Sequence, residues 1–261
     1  MADDDRYLTG THAIVTGGSR GIGAAVATML VRRGADLTIM ARSAARLDQH
    51  ADALRALGGR VTALQCDVAE EASVRAAFAR AVEERGEPYV LVNNAGTAES
   101  TPFARLQRET WDRMIAVNLT SVYLCCVQVI PAMVQAKRGR VINVASTAGL
   151  RGYKTMTAYC AAKHGVVGLT RALAAETAKH GVTVNAVCPG YTETDLTDTA
   201  IHNLVALGHS ADEARAMLVR TVPRGSLITP DEVASAVAWL CAPGAAAVSG
   251  VALPIAGGEM P

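Results

Sequence analysis

Tyr159 and Lys163 stand four residues apart in the stretch Ala158-Tyr159-Cys160-Ala161-Ala162-Lys163-His164. On a helix that spacing puts both side chains on one face, a turn apart. A phenol ordinarily ionises near pH 10, and a neighbouring ammonium favours the phenolate and draws that value down. A phenol so tuned can protonate the alkoxide that develops when a carbonyl is reduced, and can take the proton back in the reverse direction. Ser146 stands thirteen residues before Tyr159, in Val144-Ala145-Ser146-Thr147. Its hydroxyl can bond a substrate oxygen and orient it toward the phenol. Thr147 offers the same group, but the spacing and the strand end favour Ser146. Cys160 adjoins Tyr159 with no base fixed near it, which gives no case for a nucleophile. His164 reads as a packed or exposed histidine.

A tyrosine and a lysine at this spacing recur by chance, so their weight depends on what surrounds them. Near the start, Thr16-Gly17-Gly18-Ser19-Arg20-Gly21-Ile22-Gly23 follows a short apolar run and opens a segment with helical spacing. Glycines allow a tight turn and close approach to a pyrophosphate, and the helix N-terminus presents free N–H groups to it. In such dinucleotide sites an acidic residue about 20 positions further on holds the ribose 2′-hydroxyl of NAD. Here the second strand ends Ile39-Met40-Ala41-Arg42-Ser43, with Ala41 at the acid position and Arg42 next to it. A guanidinium suits a phosphate dianion, so the chain is expected to take NADP(H), with Arg20 as a second clamp.

The glycine spacing is G-x-x-x-G-x-G. Asn93-Asn94-Ala95-Gly96, Ser146, Tyr159 with Lys163, and Pro189-Gly190-Tyr191-Thr192-Glu193-Thr194 follow in order. In these motifs the chain resembles the short-chain dehydrogenase/reductase family over almost its whole length. The resemblance implies a doubly wound α/β Rossmann domain, a hydride-transferring oxidoreductase, and a reactive set of Asn118, Ser146, Tyr159 and Lys163. Asn118, in Ala116-Val117-Asn118-Leu119, would hold a water linking the lysine to solvent. On the cofactor side it implies Gly17, Ser19, Arg20, Gly21, Ile22 and Gly23 at the pyrophosphate and Arg42 at the 2′-phosphate. Asp67 would meet the adenine edge, with Val68 in backbone support, although Asp67 could instead cap the following helix. Asn94, Ala95 and Gly96 would line the cofactor. Tyr159 and Lys163 would also touch it, and Pro189, Gly190, Thr192 and Thr194 would bind the nicotinamide carboxamide.

The runs Lys163–Gly168 and Val184–Gly190 look like those of ketoreductases acting on β-keto thioesters. The resemblance therefore implies a 3-oxoacyl thioester of a carrier protein or CoA as substrate. A dehydrogenase of small cyclic or aromatic secondary alcohols is the alternative. Polyketide ketoreductases often carry Pro-Gly-Gly after Asn-Asn-Ala-Gly, where this chain has Thr97-Ala98-Glu99. An NADP-binding subunit without catalysis is opposed by the intact reactive set, and sugar-nucleotide epimerases usually bring a longer second domain. Tyr153, Met156, Glu99 and Tyr191 are candidate pocket liners, and Glu99 would disfavour an anionic substrate. The family also implies a homotetramer, with long helices paired across a two-fold axis and the apolar end Val248–Ala256 in a further contact.

The elements that must position these residues alternate. Strand-like runs are expected at His12–Thr16, Asp36–Met40, Val61–Gln65, Tyr89–Val92, Arg140–Ala145, Val182–Val187 and Val251–Pro254. Helices are expected at Gly21–Arg33, Ala44–Leu57, Ala69–Glu84, within Thr110–Lys137, at Ala158–Lys179 and at Pro230–Cys241. This pattern predicts a parallel seven-stranded sheet covered on both faces. With no linker evident, 1–261 reads as one domain, with 1–9 a flexible N-terminus and 191–222 a helical substrate lid inserted where such folds bind ligands. A 261-residue chain with net charge +1 carries no electrostatic footprint for nucleic acid or an anionic membrane. No apolar run is expected to span a bilayer. The acidic start, Met1-Ala2-Asp3-Asp4-Asp5, is unlike a signal peptide. The six cysteines, Cys66, Cys125, Cys126, Cys160, Cys188 and Cys241, lack metal spacing, so no metal is expected. Read as free thiols, they suit the cytoplasm.

Overall fold

Runs rich in valine, isoleucine and leucine form strands buried on both faces, as a parallel sheet requires. The computed structural model describes residues 6–259. The strands are β1 (His12–Thr16), β2 (Asp36–Ala41), β3 (Val61–Gln65), β4 (Pro88–Asn93), β5 (Gly139–Val144), β6 (Val182–Pro189) and β7 (Ala252–Ile255). All pair in parallel, in the order β3-β2-β1-β4-β5-β6-β7. The chain winds outward from β1 to β3, then returns to lay β4 on the other side of β1. That reversal opens a crevice beyond the carboxyl ends of β1 and β4, where ligands bind in open α/β sheets.

The connecting helices are α1 (Gly21–Arg32), α2 (Ala44–Ala56), α3 (Glu71–Arg85), α4 (Arg108–Ile115), α5 (Ser121–Gln135), α6 (Thr157–Thr177), α7 (Asp195–Ala206), α8 (Ala211–Val219) and α9 (Pro230–Cys241). Two apolar cores result, one on each face of the sheet. Val26 and Leu30 of α1 meet Val233 and Val237 of α9 in one. Phe78 of α3, Val129 of α5 and Val166 of α6 meet in the other. Element bounds agree with the sequence reading to within two residues in most places.

Two expectations change, and a third is made specific. First, α4 and α5 join through a turn of π-helix at Ala116–Thr120 into one continuous helix, Arg108–Gln135. It has 28 residues and a most apolar stretch of mean hydropathy 1.7, so by length and composition it could cross a bilayer, contrary to the sequence reading. Here its apolar residues instead pack on the sheet, with Val122, Cys125, Cys126, Val129 and Met133 all buried. Second, the end of the N-terminal segment is docked. Leu8 is fully buried, and the Tyr7 hydroxyl donates to the Ala238 carbonyl at 2.6 Å. Residues 1–5 lie outside the described residues. Third, the 191–222 insert is two helices, α7 and α8, with α8 started by a Ser210–Glu213 capping box.

Candidate active site

The carboxyl ends of β4, β5 and β6 deliver the reactive side chains to one place. Lys163, in the second turn of α6, donates from Nζ to the Val144 carbonyl at the end of β5, at 2.8 Å. The same Nζ lies 5.7 Å from the centroid of the Tyr159 ring. Ser146 starts the turn after β5, its Oγ accepting the Ala148 N–H at 3.1 Å, and its side chain also meets the Tyr159 phenol. Thr147 instead shares a 2.7 Å hydrogen bond with the Tyr153 hydroxyl, which separates the two adjacent hydroxyls by what they touch. Asn118 is fully buried in the π-turn. Its Oδ1 accepts the Thr97 N–H at 3.1 Å and its Nδ2 donates to the Met114 carbonyl at 3.0 Å. Gly96 sits between them: a Cβ there would lie 2.9 Å from Asn118 Oδ1 and 3.7 Å from Lys163 Nζ.

The electrostatics depart from the sequence expectation. Burial pushes the Tyr159 phenol up to about 12, against an opposing contribution from Ser146. The expected lowering by Lys163 is not what dominates. The physical reason is the phenol's own desolvation; the lysine is buried too, and desolvation brings it down to about 8. At neutral pH the protein's own groups therefore hold a protonated phenol beside a lysine poised near its titration point. The buried thiols Cys125, Cys126, Cys188 and Cys241 are all pushed up by burial. That keeps them in the un-nucleophilic thiol form.

The glycine turn has the geometry a dinucleotide requires. Gly17 and Gly21 have φ of +66° and +53°. A Cβ on Gly23 would lie 2.2 Å from the Gly17 carbonyl oxygen and 2.4 Å from Asn94 Nδ2. No side chain caps the N-terminus of α1, so its first N–H groups are open to an anion. Asn94 locks the turn to the sheet, donating from Nδ2 to the carbonyls of Thr16 (3.1 Å) and Gly17 (3.2 Å). The Ala95 N–H donates to Thr16 Oγ1 at 3.2 Å. Asp67 Oδ1 accepts the Ala69 N–H at 3.0 Å, a local turn bond ahead of α3; the N-cap of that helix is Glu70, so Asp67 does not cap it. Thr194, the N-cap of α7, lies over the turn: a Cβ on Gly21 would meet its methyl at 3.2 Å. Thr192 is buried and bonds back to the Gly190 carbonyl, shaping the loop after Pro189. Ser19 lines a cavity with Arg20, Arg46 and Asp195, while Ile22 and Val68 pack beneath the groove.

The residues of an NAD(P) site therefore fit this structure. The short chain dehydrogenase profile matches residues 11–204. The chain belongs to the short-chain dehydrogenase family. A granaticin polyketide synthase ketoacyl reductase of Streptomyces violaceoruber is 43% identical over 249 residues, covering 94% of this chain and 92% of that protein. A 3-oxoacyl-[acyl-carrier-protein] reductase of Vibrio harveyi is 39% identical, covering 96% and 98%. The structure also superposes on a variant of actinorhodin polyketide ketoreductase solved with NADPH. There the TM-score is 0.92 and identity 39%, over 95% of this chain and 97% of that one. As a short-chain dehydrogenase the protein is an oxidoreductase of carbonyl and hydroxyl groups that uses a nicotinamide cofactor.

Of the candidate liners, Tyr153 and Met156 pack against the cluster of Ala148, Tyr159 and Cys160, and Tyr191 is half-buried. Glu99 forms an ion pair with Arg113. His164 is exposed and its Nδ1 contacts the Cys160 carbonyl, away from the lysine. Arg42 is exposed, and its guanidinium has no ion pair among the described residues. Arg20 instead pairs with Asp195 of α7, and Arg46 lies 3.8 Å from the same carboxylate. The sequence reading missed Arg46, Asp195 and Glu259. Only the run of charges after β2 hinted at the first.

Proposed function

We propose that the protein is an NADPH-dependent ketoreductase that reduces a 3-oxoacyl thioester, carried on an acyl carrier protein or CoA, to the 3-hydroxy product. The observation that carries the reading is the convergence of Asn118 and Lys163 at Gly96 with Ser146 on the Tyr159 phenol, in a fold whose second strand is followed by Arg42, an arginine without an ion pair among the described residues. When bound, the reduced nicotinamide supplies the hydride. Ser146 holds the carbonyl oxygen within reach of Tyr159 and stabilises its developing charge. Tyr159, kept protonated by burial, donates to that oxygen. Lys163, fixed on the Val144 carbonyl with its ammonium 5.7 Å from the centre of the Tyr159 ring, supplies positive charge beside the phenol. Asn118, fixed in the π-turn by the Thr97 N–H and the Met114 carbonyl, holds a water that links Lys163 to solvent.

Arg42 and Arg20 take the 2′-phosphate, and a carboxylate at Ala41 that would repel it is absent. Asp67 and Val68 face the adenine, and the 189–194 loop holds the carboxamide. Helices α7 and α8 form the lid. The reading is supported by relatives named as ketoacyl and 3-oxoacyl reductases. Tyr123 and Val127, about half-exposed on α5, suit the helix pairing of a homotetramer. Six free thiols suit the cytoplasm.

The test is a panel of acetoacetyl-CoA, α-tetralone and the corresponding alcohols, each with NADPH or NADP+ and NADH or NAD+. Acetoacetyl-CoA with NADPH should give the highest kcat/KM. Faster turnover of the cyclic alcohol would favour the dehydrogenase of small secondary alcohols. A flat trace throughout, with NADPH still bound, would mean a silent subunit.

A further inference from the structure

Glu259 is a buried carboxylate that the reading above does not use. Its side chain is 2% exposed, close to the chain's end, and it reaches the wall of the site described above. Oε1 pairs with Arg151 at 2.5 Å and accepts the Tyr153 hydroxyl at 2.7 Å. Tyr153 Oη in turn lies 2.7 Å from Thr147 Oγ1. Oε2 has no partner among the described residues and lies against Gly190, where a Cβ would stand 3.0 Å away. The chain of contacts thus runs from Arg151 through Glu259 and Tyr153 to Thr147, the neighbour of Ser146. Tyr153 also packs against the cluster that holds Tyr159.

The proton count fixes its direction. A carboxylate only accepts, so the single Tyr153 proton points at Glu259. Tyr153 Oη can then only accept from Thr147, whose own proton is committed to it. Both hydroxyls are therefore spent, and neither is free to compete for a substrate oxygen. Burial also holds the Tyr153 phenol up at about 12, so it remains the donor in this chain.

We propose that Glu259 is a positioning residue: through Tyr153 it fixes one wall of the carbonyl pocket and withholds the Tyr153 and Thr147 hydroxyls, so that Ser146 and Tyr159 alone receive the substrate oxygen. The proposal rests on the ketoreductase reading for its substrate but not for its geometry. It assigns the end of the chain a part in how a prochiral ketone is oriented. Loss of the carboxylate frees two hydroxyls that can hold the oxygen in a second orientation.

The experiment compares wild type, Glu259→Leu, Tyr153→Phe and the double variant on acetoacetyl-CoA and α-tetralone; leucine is chosen because a glutamine would still accept the Tyr153 proton. Each single variant should raise the ketone KM about five-fold while the NADPH KM stays within two-fold. Glu259→Leu should also erode the enantiomeric ratio of the alcohol several-fold. The double variant should be no worse in KM than either single one, since Glu259 acts through Tyr153. Additive KM effects, an unchanged ketone KM in Tyr153→Phe, or an intact enantiomeric ratio in Glu259→Leu would overturn the proposal. If Glu259→Leu does not fold, Tyr153→Phe decides on KM alone. If wild type reduces neither ketone, the ketoreductase reading fails. The proposal is then judged by the Glu259→Leu crystal structure, where a displaced Tyr153 hydroxyl supports it and an unmoved one refutes it.

Discussion

Lys163 and Tyr159 are 4% and 8% exposed, whereas the Arg20 and Arg46 side chains at the other end of the crevice are 56% and 58% exposed. At the buried end desolvation dominates and moves two ordinary side chains in opposite directions, the phenol up to about 12 and the ammonium down to about 8. At the exposed end charges pair through solvent, where an ion pair contributes about 1 kcal/mol or less. The difference teaches that the proton-handling groups are tuned by the fold itself. The exposed arginines are placed by the fold but left adaptable: Arg20 and Arg46 share the Asp195 carboxylate, and Arg20 is one of the groups proposed to take the cofactor phosphate.

Substitutions at the two ends should therefore differ in size. Lys163→Met is expected to lower kcat by about 10²–10⁴-fold, the usual weight of a positioned proton-transfer group, in a steady-state assay. Its stability should move the other way. The folded value near 8 lies below the ordinary 10.5, so the folded state disfavours the charge. That shift costs about 3 kcal/mol at pH 7, and the cost is relieved as pH rises from about 8 toward 10.5. The loss of the bond to the Val144 carbonyl offsets part of the gain. The variant's Tm at pH 7 should thus equal or exceed that of wild type, and a clear drop would contradict the buried cation.

In wild type, kcat/KM for reduction should fall as pH rises through about 8, because Lys163 loses its proton there while Tyr159 keeps its own. A profile flat to pH 9.5 would remove the lysine from the proton path. At the exposed end, Arg42→Asp should shift the NADPH-to-NADH ratio of kcat/KM about 10–100-fold toward NADH. An unchanged ratio would take Arg42 out of the 2′-phosphate site. The smallest effect belongs to Asp195→Asn, at most about three-fold on the NADPH KM and fading with added salt. A large, salt-independent effect would mean that the two ends are built more alike than their exposure indicates.

The same division explains what could be read from the sequence. The glycine turn, the strand ends and the Tyr159–Lys163 spacing are local patterns, and the structure brings them together as expected. The sign of the Tyr159 shift depends on burial between α6, β5 and β6, which spacing alone does not encode. The π-turn at Asn118 was legible only as a polar residue in an apolar helix. Glu259 meets Tyr153 across 106 positions of sequence, and Arg20 meets Asp195 across 175. No motif marks either pairing. The long apolar helix misleads in the other direction, because its mean hydropathy does not show that Asn118 faces Gly96 from inside it.

The account stands most directly on the Tyr159 hydroxyl. NADPH consumption with acetoacetyl-CoA should fall at least a hundred-fold in Tyr159→Phe, while NADPH binding, followed by its fluorescence, stays within about three-fold of wild type. Turnover within a few-fold of wild type in that variant would contradict the assignment of Tyr159 as the acid.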